Sequence, residues 1–127
     1  MTENERRLQL KDLCARQFYG TKVLGPWEKD GPCELSAIDL THNRQVRIFE
    51  DWFNIDDVKP YLRPMSSMTE DEVNQYYKIR TGEDRNKPLG ELDAELFDFY
   101  HKNHFDYRGL IPMGLALEAP EEMYEKL

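Results

Sequence analysis

Apolar residues fall at helical spacing in three stretches of the chain and at strand-like spacing in the region between the first two. In residues 3–18, Leu10, Leu13, Cys14 and Phe18 occupy the i, i+3, i+4 and i+8 positions of one face, with Gly20 where a C-terminal cap belongs. This predicts an amphipathic opening helix. From Thr21 the chain turns to β-branched and aromatic residues broken by turn formers, predicting strands at 21–27, 33–40 and 45–50. Residues 29–32 and 41–44 supply the turns of a three-stranded antiparallel meander. Within the second strand the apolar phase switches from Leu35 and Ala37 to Ile38 and Leu40, which strict alternation forbids. A bulge or a two-faced strand accounts for it.

Residues 51–62 are transitional. Ile55, Val58, Tyr61 and Leu62 recur at helical spacing, but Pro60 and Pro64 limit them to one short helical turn. Thr69 followed by Glu72 is a capping-box pattern, so a second helix runs from Glu70 to Arg80, with Val73, Tyr76, Tyr77 and the Arg80 stem inward and Gly82 ending it. Residues 82–90 read as a solvated loop. Leu92, Leu96, Phe99 and Tyr100 at i, i+4, i+7 and i+8 mark a third helix over 91–103. Residues 105–119 are apolar but interrupted by Gly109, Pro112 and Gly114, predicting irregular chain or a short edge strand, and 120–127 add a last helical turn. The expected fold is α+β, a small antiparallel sheet of about three strands packed with about three helices in one domain, which 127 residues accommodate.

Charge narrows the partners. The chain carries a formal net charge of −8, and residues 64–127 hold seven Lys/Arg against fourteen Asp/Glu. Such a balance disfavours direct contact with nucleic acid or an anionic membrane, since both select basic faces. The longest nearly apolar run, residues 110–117, is far short of the roughly 20 residues that span a bilayer. With no export signal at the N-terminus, a cytoplasmic setting is expected, in which Cys14 and Cys33 are free thiols. No cofactor is expected.

Few residues carry candidate chemistry. Asp98, His101 and His104 have i, i+3, i+6 spacing, a weak metal or proton-relay pattern to which Asp106 would add an oxygen. Successive members drift around the helix, His104 falls past its end, and histidines there also suit the helix dipole. Cys14 paired with a histidine would be a nucleophile and base, but on the apolar face it reads as a buried, inert thiol. Ser66 and Ser67 lack the flanking glycines of a nucleophile elbow and read as turn residues. The glycines at 109 and 114 precede no Lys-Ser/Thr pair and serve chain reversal rather than phosphate binding. The acidic set Glu70, Asp71, Glu72, Glu83, Asp84, Glu91, Asp93, Glu95 and Asp98 could mimic a phosphate backbone and inhibit a nucleic-acid-binding protein. Much of it also sits at helix starts, where the dipole favours carboxylates.

Aromatic residues, among them Trp27, Trp52, Phe53, Tyr76, Tyr77, Phe105 and Tyr107, outnumber what a small core needs, so some are expected at the surface. The candidate interface is Trp52, Phe53, Tyr61, Phe105, Tyr107 and Arg108, with the apolar 105–117 segment. The leading expectation is a non-catalytic module that binds a protein partner. The alternative is a small enzyme or metal-binding protein using Asp98, His101, His104 and Arg108.

Three blocks, residues 11–16 (KDLCAR), 57–70 (DVKPYLRPMSSMTE) and 103–120 (NHFDYRGLIPMGLALEAP), resemble a family of short uncharacterised proteins from Bacteroides-type genomes, often in phage or mobile regions. The resemblance implies an accessory protein of such an element. It implies no activity, cofactor or catalytic residue.

Overall fold

Thr2 and Glu5 open the first helix by a reciprocal capping box. The Thr2 N–H donates to Glu5 Oε1 at 2.8 Å and the Glu5 N–H to Thr2 Oγ1 at 3.1 Å. In the computed structural model, which describes residues 1–27, 31–41, 44–81 and 89–124, this helix, α1, spans Glu3–Arg16 and tightens into a 3-10 turn at Gln17–Tyr19. Gly20 ends it in the left-handed conformation at φ 71°. The buried face differs from the expected one. Leu10 and Leu13 point inward together with Gln9, Asp12 and Arg16, while Cys14 is exposed and Phe18 is 89% exposed. The 3-10 turn breaks the helical phase before Phe18, and the polar residues bury because distant groups receive them. Gln9 Nε2 donates to both the Val58 and the Leu115 carbonyls.

Among the described residues, seven short strands form two sheets. β1 (Lys22–Leu24), β2 (Cys33–Glu34), β6 (Lys59–Leu62) and β7 (Leu117–Glu118) make a four-stranded sheet in the order β2-β1-β6-β7, with β7 parallel to β6 and the other pairings antiparallel. β3 (Ala37–Ile38), β4 (Gln45–Ile48) and β5 (Asp51–Asn54) make an antiparallel sheet with β4 central. The meander therefore divides. The phase switch between Leu35 and Ile38 marks where the chain leaves one sheet and enters the other, so the single strand expected over 33–40 is two strands, not a bulge. Residues 51–62, expected as one helical turn, hold a 3-10 turn at Ile55–Asp57 between β5 and β6. Pro60 is tolerated in β6, opposite Val23.

α2 spans Glu70–Thr81 and α3 spans Leu89–Lys102. The Thr69–Glu72 capping box is present, with N–H to side-chain distances of 2.9 and 3.2 Å. Ile79 joins Val73 and Tyr76 among the half-buried residues of α2, and Tyr77 points out at 60% exposure. Phe99 and Tyr100 are buried on α3, with Leu92 and Leu96 half-buried beside them. His104 terminates α3 at φ 63°, a conformation usually left to glycine, and the Phe105 N–H returns to the Tyr100 carbonyl at 2.9 Å. The expected edge strand within 105–119 is β7, and a turn brings Met123 N–H to the Pro120 carbonyl. The core of α1 and both sheets gathers Leu10, Leu13, Val23, Val46, Ile48, Ile55 and Val58. A second cluster of Phe99, Tyr100 and Phe105 joins α2 and α3. The result is an α+β fold, and no helix among the described residues is long and apolar enough to cross a membrane. Parts of the expected turns at 29–32 and 41–44, residues 82–88 of the expected loop with Gly82, and 125–127 lie outside the described residues.

Candidate functional site

The ends of α1 and α3 meet the segment after α3 around one carboxylate. Asp12, fully buried, accepts from Arg16 Nε at 2.7 Å through Oδ2 and from Arg108 Nε at 3.0 Å through Oδ1. Arg16 is itself fully buried and donates through Nη2 to the Phe105 carbonyl at 2.6 Å. Asp12 and Arg16 lie one helical turn apart, the i, i+4 arrangement in which acid precedes base. Removing ions from water is costly, and the cost is offset here by charge-assisted hydrogen bonds to both oxygens.

Tyr107 lies against both guanidiniums, at 5.3 Å from Arg16 and 5.0 Å from Arg108 to the ring centroid. Its hydroxyl lies 2.7 Å from His101 Nε2, one hydrogen bond whose direction the imidazole tautomer sets. Burial holds the His101 pKa below its usual value, and Arg16 and Arg108 reinforce the shift against Asp12 and Asp98. Burial likewise pushes the Tyr107 hydroxyl up. At neutral pH this is an uncharged imidazole beside a protonated phenol.

Aromatic rings continue from this centre to the surface. Phe18 meets Tyr19 edge-on at 5.2 Å, Tyr19 lies 6.4 Å from His101, and Phe97 stacks on His101 at 6.3 Å. Tyr107 stacks on Tyr100 at 5.1 Å, Tyr100 lies 6.4 Å from Tyr76, and Tyr76 meets Tyr77 at 5.6 Å. Arg80 donates to the Tyr76 hydroxyl at 2.8 Å. The run is continuous from the end of α1 across α3 to α2. Three of its members are well exposed, Phe18 at 89%, Tyr77 at 60% and Phe97 at 46%.

The metal and relay pattern does not assemble. His101 turns to Tyr107, while His104 Nδ1 lies 2.9 Å from Thr21 Oγ1 and its ring stacks on Tyr124. Asp98 is exposed, and Asp106 receives the Leu110 and Ile111 N–H groups at 2.8 and 2.9 Å, capping the turn that follows. No group of three metal-ligating side chains occurs among the described residues. Cys14 is exposed rather than buried, and desolvation raises its thiol pKa, which lowers the thiolate available at neutral pH. Ser67 donates to the Pro64 carbonyl at 2.7 Å within the 3-10 turn Met65–Ser67, as a turn residue does.

Of the expected interface, Phe105 is fully buried and cannot contact a partner, and Leu110, Leu115 and Ala116 of the 105–117 segment are buried with it. Phe105 packs with Phe99 and Tyr100 of α3, and the other three pack with Leu62 of β6, where apolar area is withdrawn from water. Tyr61 is half-buried in β6, and Phe53 packs edge-on against Trp27 at 5.0 Å. Trp52 is 45% exposed on the β4–β5 hairpin, and Tyr107 and Arg108 are half-buried within the aromatic run. Trp52 and Tyr107 therefore belong to separate places. Helical spacing assigns Phe18 to the apolar face of the first helix, which its exposure corrects, and Phe97 enters no sequence expectation. Phe97 carried a signal, because an aromatic off the Leu92, Leu96, Phe99, Tyr100 face has no core to enter.

A groove lies beside this run, bounded by α2, α3 and the chain from Glu118 to Tyr124, with a volume of about 1100 Å³. Ile79, Phe99, Tyr19 and Tyr124 supply apolar lining, and Asp71, Glu72, Glu95, Asp98, Glu118 and Glu121 supply carboxylates. Arg63 is bound to both Glu72 oxygens at 2.7 Å. Burial pushes the Glu72 pKa up, but the Arg63 and Thr69 hydrogen bonds outweigh it and hold the carboxyl below its usual value. No family model, curated protein or solved structure matches the chain.

Proposed function

We propose that this chain is a non-catalytic accessory protein of a phage or mobile element that acts by holding a host or phage protein. The observation that carries this reading is the aromatic run, which leaves Phe18 at 89% exposure and Phe97 at 46% near the buried Arg16 and the half-buried Arg108 guanidiniums. Exposed, connected aromatic rings with arginines are the composition of interface hot spots, whose apolar area becomes favourable only when a partner covers it. The net charge of −8 argues for a protein rather than a polyanion. The family resemblance supplies the phage or mobile-element setting, a cytoplasmic one in which both cysteines stay thiols.

Affinity capture from a Bacteroides-type host, with and without mobile-element induction, tests the reading when wild type is compared with F18S/F97S. Wild type should retain one stoichiometric protein that the variant loses at equal thermal stability. Equal retention by both would remove the aromatic run from the account. The β4–β5 hairpin is the second reading, favoured by Phe49, which sits at φ 55° and 66% exposure at its tip with Trp52 nearby. Loss of the partner in W52S alone would select it.

A further inference from the structure

The groove between α2, α3 and the chain after β7 deepens the protein-binding reading, on which it rests, by specifying the partner's chemistry. Its volume of about 1100 Å³ lies at the upper end for ligand pockets and has room for a stretch of polypeptide. Its charge is one-sided. Asp71, Asp98, Glu118 and Glu121 are exposed around it, and no ion pair joins them to another described residue. Of the two basic residues, Arg63 is already matched by Glu72, leaving Lys102.

Two further features set the shape of an occupant. Ile79 and Phe99 give the groove an apolar floor between its acidic walls. One wall, Glu118 to Pro120, starts in β7, an edge strand of the four-stranded sheet among the described residues, and an extended chain can lie alongside such an edge. We propose that the groove binds an extended cationic segment of a protein partner, with lysine or arginine side chains on the acidic walls and an alternate apolar side chain on Ile79 and Phe99.

The test is fluorescence anisotropy of the full chain with a fluorescein-labelled decapeptide of alternating lysine and leucine. The same peptide with glutamate for lysine serves as control. The lysine peptide should bind, weaken as salt rises, and lose about tenfold in affinity to D71N/D98N/E121Q. The same charge change at E50Q/D51N/D57N, away from the groove, should alter affinity less than about twofold. These substitutions are all at exposed positions, so folding is retained and is checked by circular dichroism. Equal weakening by both triple variants would reduce the effect to net charge and overturn the proposal, as would absent binding or equal binding of the glutamate peptide. Because F18S/F97S leaves the groove intact, it should still bind the peptide. Partner capture lost in that variant, with no peptide binding by wild type, would sink the groove and spare the protein-binding reading.

Discussion

Tyr124 lies flat on His104, with ring centroids 3.7 Å apart and planes 17° apart. Its hydroxyl accepts the Lys22 N–H at 2.8 Å and donates to the Tyr61 carbonyl at 2.8 Å. A side chain from the C-terminal turn thus takes the place of a rung between β1 and β6. Past that point the Arg63 backbone pairs with the segment around Phe105 instead, accepting from Asp106 N–H and donating to the His104 carbonyl, each at 2.8 Å. The short sheet is therefore completed by residues from the far end of the chain.

Tyr124→Phe keeps the stack and removes the bridge, leaving a main-chain donor and acceptor without their partner. The expected loss is about 1–3 kcal/mol by urea denaturation at pH 7. Burial raises the Tyr124 pKa from 10.0 to about 12. A raised folded-state value means its stabilisation is complete below the unfolded pKa near 10 and is lost as pH rises toward 12. Wild type should lose stability more steeply than Y124F across that interval. Parallel curves would show that the hydroxyl is not held as described.

The buried Asp12 carboxylate holds two guanidiniums, so its loss strands both. Asp12→Ala should cost about 3–5 kcal/mol, whereas the double substitution D12L/R16M, which removes the buried pair together, should cost less than D12A alone. Chemical denaturation of both variants separates them. A D12A protein within about 1 kcal/mol of wild type would contradict the buried network.

His101 reports acid sensitivity. Its folded-state pKa is lowered by burial and by Arg16 and Arg108, so the folded state resists protonation. Its contribution is present above the unfolded histidine pKa near 6.5 and declines as pH falls through the folded value. The denaturation midpoint of wild type should fall more steeply below pH 6.5 than that of H101Q. Identical slopes would mean that protonation of His101 is not opposed by the fold.

Phe49 occupies the left-handed region at the hairpin tip, where a bulky residue is strained and gains little burial at 66% exposure. Phe49→Gly should raise stability by about 1 kcal/mol, read as a higher thermal midpoint. A lower midpoint would show that the ring contributes more than its backbone costs.

What could be read from the sequence was what is local. The Thr69–Glu72 box and the Leu92, Leu96, Phe99, Tyr100 face each lie within one helix, and both appear where their spacing places them. The Leu35 to Ile38 phase switch was visible, but its meaning, a change of sheet, depends on pairings with β1 and β4. Burial of Asp12 and Arg16 was invisible because their partners, Arg108 and the Phe105 carbonyl, lie some ninety residues away. The same long-range packing drew Phe105 inward, while the 3-10 turn Gln17–Tyr19 left Phe18 outside, reversing the roles that aromatic content and helical spacing assigned them.

The most direct test of protein binding through the aromatic run is a quantitative comparison of partner recovery by wild type, F18S/F97S and W52S from the induced host. The account predicts a single stoichiometric protein recovered by wild type and W52S and lost from F18S/F97S. Equal recovery by F18S/F97S and wild type, or no partner under any condition, would contradict it.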